Sequence, residues 1–428
     1  MTKSVSIFRI CILLVIFANA SEAGEIVAIP PEEVGISSER LQRLDRTLES
    51  YVENNQLAGG VVMIARHGKI AHINSFGWRD KESKSQMNDD AMFRLASQTK
   101  ALTSVGIMIL QERGALLISD PVSKYLPEFE KTTVAEVNDI GDYTVVPANR
   151  PITIRDLLTH SAGIDYGFGP AKSQWKDADM QGWYFAHRDE PVRDTIARIA
   201  ALPQKAQPGE EFVYGYNTDI LGAVIEVVSG KQLDQYLYDS ILHPLGMDDT
   251  HFYMPDDKKD RLATVYSIKG KGIERAKSPG DFIGGSHVGQ GHYVTGPRKS
   301  FSGGAGLIST AQDYGRFLQM LLNGGELEGE RILSRKSVEL MTVNHLTEID
   351  FWKAGVGIGL GFLIIDDLGE YGTLGSEGTY SWGSAYHCAS WVDPREDLLV
   401  VYLTQLIPAG ELDDRKKLRA LVYQSLID

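Results

Sequence analysis

Ser97-Gln98-Thr99-Lys100 runs directly into Ala101-Leu102-Thr103-Ser104-Val105-Gly106-Ile107-Met108-Ile109-Leu110. The apolar run predicts a helix that ends near Gly114, a suitable C-cap residue. Three residues of separation then place Ser97 and Lys100 on one helix face, about one turn apart. A hydroxyl is a poor nucleophile until a base takes its proton, and a partly desolvated amine can do that. N–H groups at a helix start can also bind a developing oxyanion. The plainer reading is an N-cap serine beside a surface lysine. The chain holds its own control, Ser173-Gln174-Trp175-Lys176, with the same spacing. No apolar run follows Ser173, so nothing there fixes a geometry.

Outward from this stretch, the chain alternates between strand-rich ends and a helical middle. Leu41, Leu44, Leu48, Tyr51 and Val52 recur at helical spacing behind Ser37 or Ser38 as cap. Val61 to Arg66 and Lys69 to Phe76 read as a hairpin turning at His67-Gly68. Helical patterns occupy Ile154 to His160, Asp194 to Ala201, Asp219 to Ser229 and Ala311 to Leu322. Residues 165–190 read as a long aromatic loop of the kind that lines binding sites. Gly280 to Gly306 reads as a crossover between domains. Strands return at Leu360 to Asp366, Trp382 to Val392 and Leu398 to Leu406, before a last helix from Leu412 to Leu426. Asp393-Pro394-Arg395-Glu396 turns the last two strands into a hairpin.

The economical solution is an α+β fold. One antiparallel sheet is built from both termini, residues 24–95 and 300–428, with helices on it. A mostly helical domain, residues 96–299, is inserted between them. Ser97 falls at the start of the insertion, where a cleft is expected.

The 428 residues allow two or three domains at roughly 150 residues each. A formal net charge of -14 argues against nucleic acid or an anionic membrane as partner. Lys3 and Arg9, the apolar stretch Ile10 to Ala18, and the small residues to Ala23 have the order of a secretory signal. Cleavage is expected after Ala20 or Ala23, so residues 1–23 are read as a signal peptide. The apolar stretch is short for a bilayer span. The expected mature protein is exported, periplasmic or secreted, with no membrane span. Cleavage removes Cys11 and leaves Cys388 alone, so no intrachain disulfide is expected. Cys388 reads as a buried small apolar residue.

Several chemistries lack their signatures. No serine sits in Gly-x-Ser-x-Gly, and no His-Glu-x-x-His or Cys/His cluster is present. No phosphate loop or dinucleotide fingerprint appears, so neither metal nor cofactor is expected. His287 and His292 read as surface loop histidines. Ser97 and Lys100 still need a proton-transfer partner. Pro208-Gly209-Glu210-Glu211-Phe212-Val213-Tyr214-Gly215-Tyr216-Asn217 offers two tyrosines. Spacing alone does not choose between Tyr214 and Tyr216.

From about residue 32 to the C-terminus, the chain resembles the serine β-lactamase and penicillin-binding-protein superfamily. The resemblance is to its class C-like branch, and closest to the family VIII carboxylesterases. Phe93-Arg94-Leu95-Ala96-Ser97-Gln98-Thr99-Lys100 is similar to the nucleophile box. Asp120-Pro121-Val122, Leu157 to Ile164 and Gly303 to Thr310 are similar to framework segments. Pro208-Gly209 through Asp219-Ile220-Leu221-Gly222 aligns Tyr214 with the family's catalytic tyrosine.

The resemblance implies Ser97 as nucleophile, with Lys100 and Tyr214 sharing the proton work. It implies backbone N–H groups of Ser97 and Ala385 as the oxyanion hole. Trp382-Gly383-Ser384 stands where class C lactamases carry Lys-Thr-Gly and is similar to the esterase Trp-Gly-Gly. The cationic partner of a lactam carboxylate is thereby lost, which favours a small neutral ester as substrate. Tyr216 stands where the lactamases carry asparagine. It is expected, with Trp382, Gly383 and Ser384, to touch substrate, and Trp175, Trp183 and Tyr184 to shape the pocket. Ser384 and His387 each replace a usual glycine. The expected activity is ester hydrolysis through an acyl-enzyme. Lactamase, D-peptidase, amidase and transacylase activities are the alternatives on one chemistry, and a non-catalytic binding protein is the alternative outside it.

Overall fold

The computed structural model describes residues 29–139, 141–283, 285–349 and 353–428. The expected signal peptide and Cys11 lie outside the described residues. Strands β1 (Gly59–Arg66), β2 (Lys69–Asp80) and β3 (Ser85–Gln86) come from the N-terminal part. Strands β4 (Val356–Ile358), β5 (Leu363–Ile365), β6 (Tyr380–Gly383), β7 (Ala389–Asp393) and β8 (Leu398–Thr404) come from the C-terminal part. They form one eight-stranded sheet in the order β4-β5-β6-β7-β8-β1-β2-β3. Its neighbours pair antiparallel, and the two halves join where Val62 faces Tyr402 and Ile64 faces Val400.

Both faces of the sheet centre are covered. Every residue of β1 and β8 is buried. Val62, Ile64, Val400 and Tyr402 point to one side, against helix α1 (Ser38–Glu53) through Leu41, Leu44 and Leu48. Val61, Met63, Leu399 and Val401 point to the other, toward helices α2 (Thr99–Glu112) and α4 (Ala311–Leu322). The two-residue period of a strand sorts adjacent side chains into two cores. Ser37 caps α1 by accepting from the Arg40 N–H. The hairpin turn at His67-Gly68 has positive φ at both residues, 53° and 69°.

Helix α2 is buried from Thr99 to Leu110 and packs on helix α3 (Asn217–Ser229). The segment that carries Gly303 and Gly304 packs against both helices, beside Thr103 of α2 and Thr218 and Asp219 of α3. Helix α5 (Asp414–Tyr423) returns to pack beside α1.

Three expectations are corrected. Trp382 to Val392 is two strands, β6 and β7, joined by a turn at residues 384–388. Apolar residues continue through that turn and imitate a strand, but His387 has a φ of 69° and bends the chain. Residues 165–190 contain a short helix, Lys172–Asp177, on which Ser173 is exposed. Residues 280–306 contain a small hairpin, Asp281–Ile283 with Ser286–Val288. No helix among the described residues is long and apolar enough to cross a membrane.

Candidate active site

Ser97 lies in a tight turn, Ala96–Gln98, that leads straight into α2. Ala96 before it has a φ of 40°, a region that side chains rarely adopt. The surroundings hold that backbone in place. Phe93–Arg94 pairs with Ile308–Ser309, and the Leu95 N–H donates to the Leu307 carbonyl at 2.8 Å. The Leu307 N–H donates in turn to Thr99 Oγ1 at 3.0 Å. The Gln98 side-chain amide N–H donates to Ser390 Oγ on β7, and the Gln98 backbone carbonyl accepts from the Tyr314 hydroxyl.

Lys100 follows on the first turn of α2 with 1% of its surface exposed. Its Nζ lies 3.4 Å from Ser97 Oγ, 3.4 Å from Tyr166 Oη and 2.7 Å from the Gly304 carbonyl. It also sits 4.8 Å from the ring centre of Tyr214. The Gly304 carbonyl is aimed by Asp219 of α3, whose Oδ1 accepts from the Gly304 N–H and the Ser302 hydroxyl. A Cβ on Gly304 would fall 2.4 Å from Asp219 Oδ2, so this approach requires glycine. Burial raises the Asp219 carboxyl above its ordinary value, against the pull of Lys100 and these hydrogen bonds.

Tyr214 and Tyr166 flank the lysine. Burial, then neighbouring Tyr214, pushes the Tyr166 phenol well above its ordinary range. Tyr166 is therefore a neutral phenol. His160 lies behind Tyr214, with ring centres 4.8 Å apart, and Asn217 hydrogen-bonds its Nδ1. Burial, then Lys100, lowers the His160 pKa well below its ordinary value. The imidazole is neutral and fixes the tyrosine's back face.

Ser97 opens into a cavity of about 620 Å³. Tyr214, Trp382, Gly383, Ser384 and Ala385 line it with Ser97. The structure thus gathers six predicted residues around one space, with Lys100 beneath. Phe168, Trp183 and Phe212 complete apolar walls. Ala385 makes no hydrogen bond among the described residues, which leaves its N–H available at the cavity edge.

Tyr216 is corrected from a substrate contact to a core residue. It is fully buried, stacked between Trp175 and Phe185, and its hydroxyl donates to the Gly182 carbonyl at 2.6 Å. Trp175 and Tyr184 are likewise buried away from the cavity lining, and only Trp183 of the three reaches it. His287 is corrected from surface to buried, stacked on Tyr184. Cys388 is buried as expected, and burial pushes its thiol up to about 11. Among the described residues no cluster of His, Cys, Asp or Glu could hold a metal ion.

Among the cavity residues that the sequence does not single out are Tyr166 and Arg415. Tyr166 lies in a segment without periodicity, and no local pattern marks it. Arg415, on the first turn of α5, is the one charged residue among those lining the cavity. Its guanidinium makes no hydrogen bond or ion pair among the described residues.

Comparison with known proteins shows the family and the fold. The Beta-lactamase family matches residues 44–424. An uncharacterized protein of Mycobacterium tuberculosis is 34% identical over 376 residues, covering 83% of this chain and 88% of that protein. Esterase EstB of Burkholderia gladioli is 29% identical over 386 residues, 86% of this chain and 91% of the esterase. The solved structure of EstCE1, described as a hydrolase with promiscuous acyltransferase activity, superposes with a TM-score of 0.76 at 28% identity. It covers 90% of this chain and 98% of that one. With a sheet drawn from both ends and a serine–lysine pair at the head of the central helix, the chain belongs to the β-lactamase superfamily of serine hydrolases.

Proposed function

We propose that the protein hydrolyses carboxylic esters through an acyl-enzyme on Ser97. The observation that carries this reading is the cavity itself. Ser97 meets Lys100 at 3.4 Å on its floor, and Trp382 rather than a cation stands on β6 in its wall. Ser97 Oγ attacks the ester carbonyl, and its proton passes to the Lys100–Tyr214 pair. The oxyanion forms against the N–H groups of Ser97 and Ala385, at roughly 3 kcal/mol per donor. The same pair returns the proton to the departing alkoxide, which leaves as alcohol. Water then attacks the acyl-enzyme and gives its proton to the pair, which returns it to Ser97 Oγ as the bond to the acyl group breaks and the acid leaves. Tyr166, a neutral phenol, holds the lysine head without taking a proton. The similarity to esterase EstB and to EstCE1 supports ester over lactam.

A fluorophosphonate probe tests the nucleophile. The wild type and Ser173→Ala are labelled, and Ser97→Ala is not. Labelling that survives in Ser97→Ala overturns the assignment. A panel of p-nitrophenyl esters, nitrocefin and D-alanyl amides then separates esterase, lactamase and peptidase, with turnover expected on the esters. Acyl transfer to an alcohol is a second reading, favoured by the aromatic walls around Ser97 and by the activity named for EstCE1. Product ratios with added alcohol distinguish it from hydrolysis. Export is proposed as well, supported by the order of Lys3, Arg9 and the apolar stretch Ile10 to Ala18.

A further inference from the structure

The turn that carries Ala385 is tied to the C-terminal helix by a buried polar chain. His387 Nε2 lies 2.7 Å from Asp414 Oδ1, and the Tyr402 hydroxyl donates to Asp414 Oδ2 at 2.8 Å. The His387 and Asp414 side chains are 2% and 0% exposed. The rest of the turn is short-wired: the His387 N–H donates to the Ser384 carbonyl, and the Tyr386 N–H to Ser384 Oγ. Thr404 of β8 donates its hydroxyl to the His387 carbonyl at 3.0 Å.

His387 occupies this place at a conformational cost. Its φ of 69° is left-handed, which costs a residue with a Cβ roughly 1–2 kcal/mol. Glycine would avoid that cost, so the imidazole must return something. Its partner says what. Burial works against ionised Asp414, yet the hydrogen bonds from His387 and Tyr402 hold its carboxyl below the ordinary value. Asp414 in turn precedes Arg415, whose Nη1 lies 3.8 Å from the Cβ position of Gly383. Asp414 therefore ties the turn to the helix whose next residue, Arg415, reaches the cavity wall.

We infer that His387 and Asp414 are positioning residues that hold the Ala385 N–H where the oxyanion forms. The inference rests on the acyl-enzyme reading above. An oxyanion donor acts on the transition state, so its displacement lowers kcat and leaves KM nearly unchanged. A shift of about 1 Å is enough to lose up to 100-fold.

The test is ester turnover by His387→Gly, His387→Asn and Asp414→Asn, with thermal midpoints taken in parallel. His387→Gly relieves the backbone strain and removes the link. Its kcat is expected to fall roughly 10- to 100-fold with KM within about twofold. Affinity for an oxyanion-mimicking trifluoromethyl ketone should fall in step with kcat. Asn tolerates the left-handed region and keeps an N–H donor, so His387→Asn should recover most of the loss. Asp414→Asn, which keeps the shape of the partner, carries the same comparison should the glycine variant not fold. Unchanged kcat in a folded His387→Gly or Asp414→Asn overturns the inference, as does equal loss in kcat and 1/KM without loss of ketone affinity. A wild type that turns over no ester overturns the acyl-enzyme reading instead.

Discussion

Replacing His287 by Phe should stabilise the protein and flatten its response to acid. His287 has 1% of its surface exposed and stacks on Tyr184 at 3.9 Å between ring centres. Neither ring nitrogen has a hydrogen-bond partner among the described residues. His292 lies 6.5 Å away between ring centres, and His187 stands 5.9 Å from His292. Burial, then His292, His187 and Arg94, pulls the His287 pKa down to about 4, with Asp281 opposing. In the unfolded chain it titrates near ~6.5. Between those values the unfolded state binds the extra proton, so stability rises with pH. The His287 contribution is complete above about pH 6.5 and is lost as pH falls toward about 4, at up to ~1.4 kcal/mol per unit. Phe keeps the stacked ring and removes two unpaired buried nitrogens, a gain of about 1–3 kcal/mol. At ~2 °C per kcal/mol, the variant should melt higher near neutral pH, and the gap should widen by up to ~3 °C per pH unit below it. Thermal unfolding followed by circular dichroism from about pH 7 to about pH 4.5 measures both effects. Parallel curves, or a lower midpoint at neutral pH, refute the reasoning.

Tyr216→Phe removes the donor to the buried Gly182 carbonyl. It should cost about 1–3 kcal/mol of stability in denaturant unfolding and leave KM for an ester unchanged. A raised KM with unchanged stability would return Tyr216 to the substrate. Arg415→Leu removes the one charge lining the cavity. For esters that carry a free carboxylate, kcat/KM should fall up to roughly fivefold, less at high salt, with neutral esters unaffected. Equal effects on both substrate types would refute a role in charge recognition.

The Ser97–Lys100 pair was readable because helical spacing makes three residues of separation a geometric statement, and Leu102, Val105 and Ile109 supply the buried helix that enforces it. The two-ended sheet was readable from the apolar runs Val61 to Ala65 and Leu398 to Leu403, each the length of one buried strand. Tyr216 was misread because the segment has aromatic residues two apart, and only packing decides which faces the cavity. Trp175 and Phe185 take Tyr216, and Tyr214 is left against Lys100. His287 was misread because loop position says nothing of what folds over the loop. Arg415 was invisible for a different reason. Arg415, Lys416 and Lys417 are all exposed, and which basic residue meets Gly383 depends on where α5 docks.

The seam between β1 and β8 has a consequence for how the molecule comes into being. Its partners, such as Gly60 and Thr404, are about 340 residues apart, so this pairing has very high sequence separation. At the usual pace of synthesis, roughly 20–70 s pass between the emergence of β1 and that of β8. Through that interval β1 has β2 on one side and an open edge on the other, with an apolar face on each side of the ribbon. The sheet centre can therefore close only after β8 has emerged. A ribosome-stalled chain lacking residues beyond about 400 should remain protease-sensitive and bind chaperones, while release of the last strand and α5 completes the sheet at once.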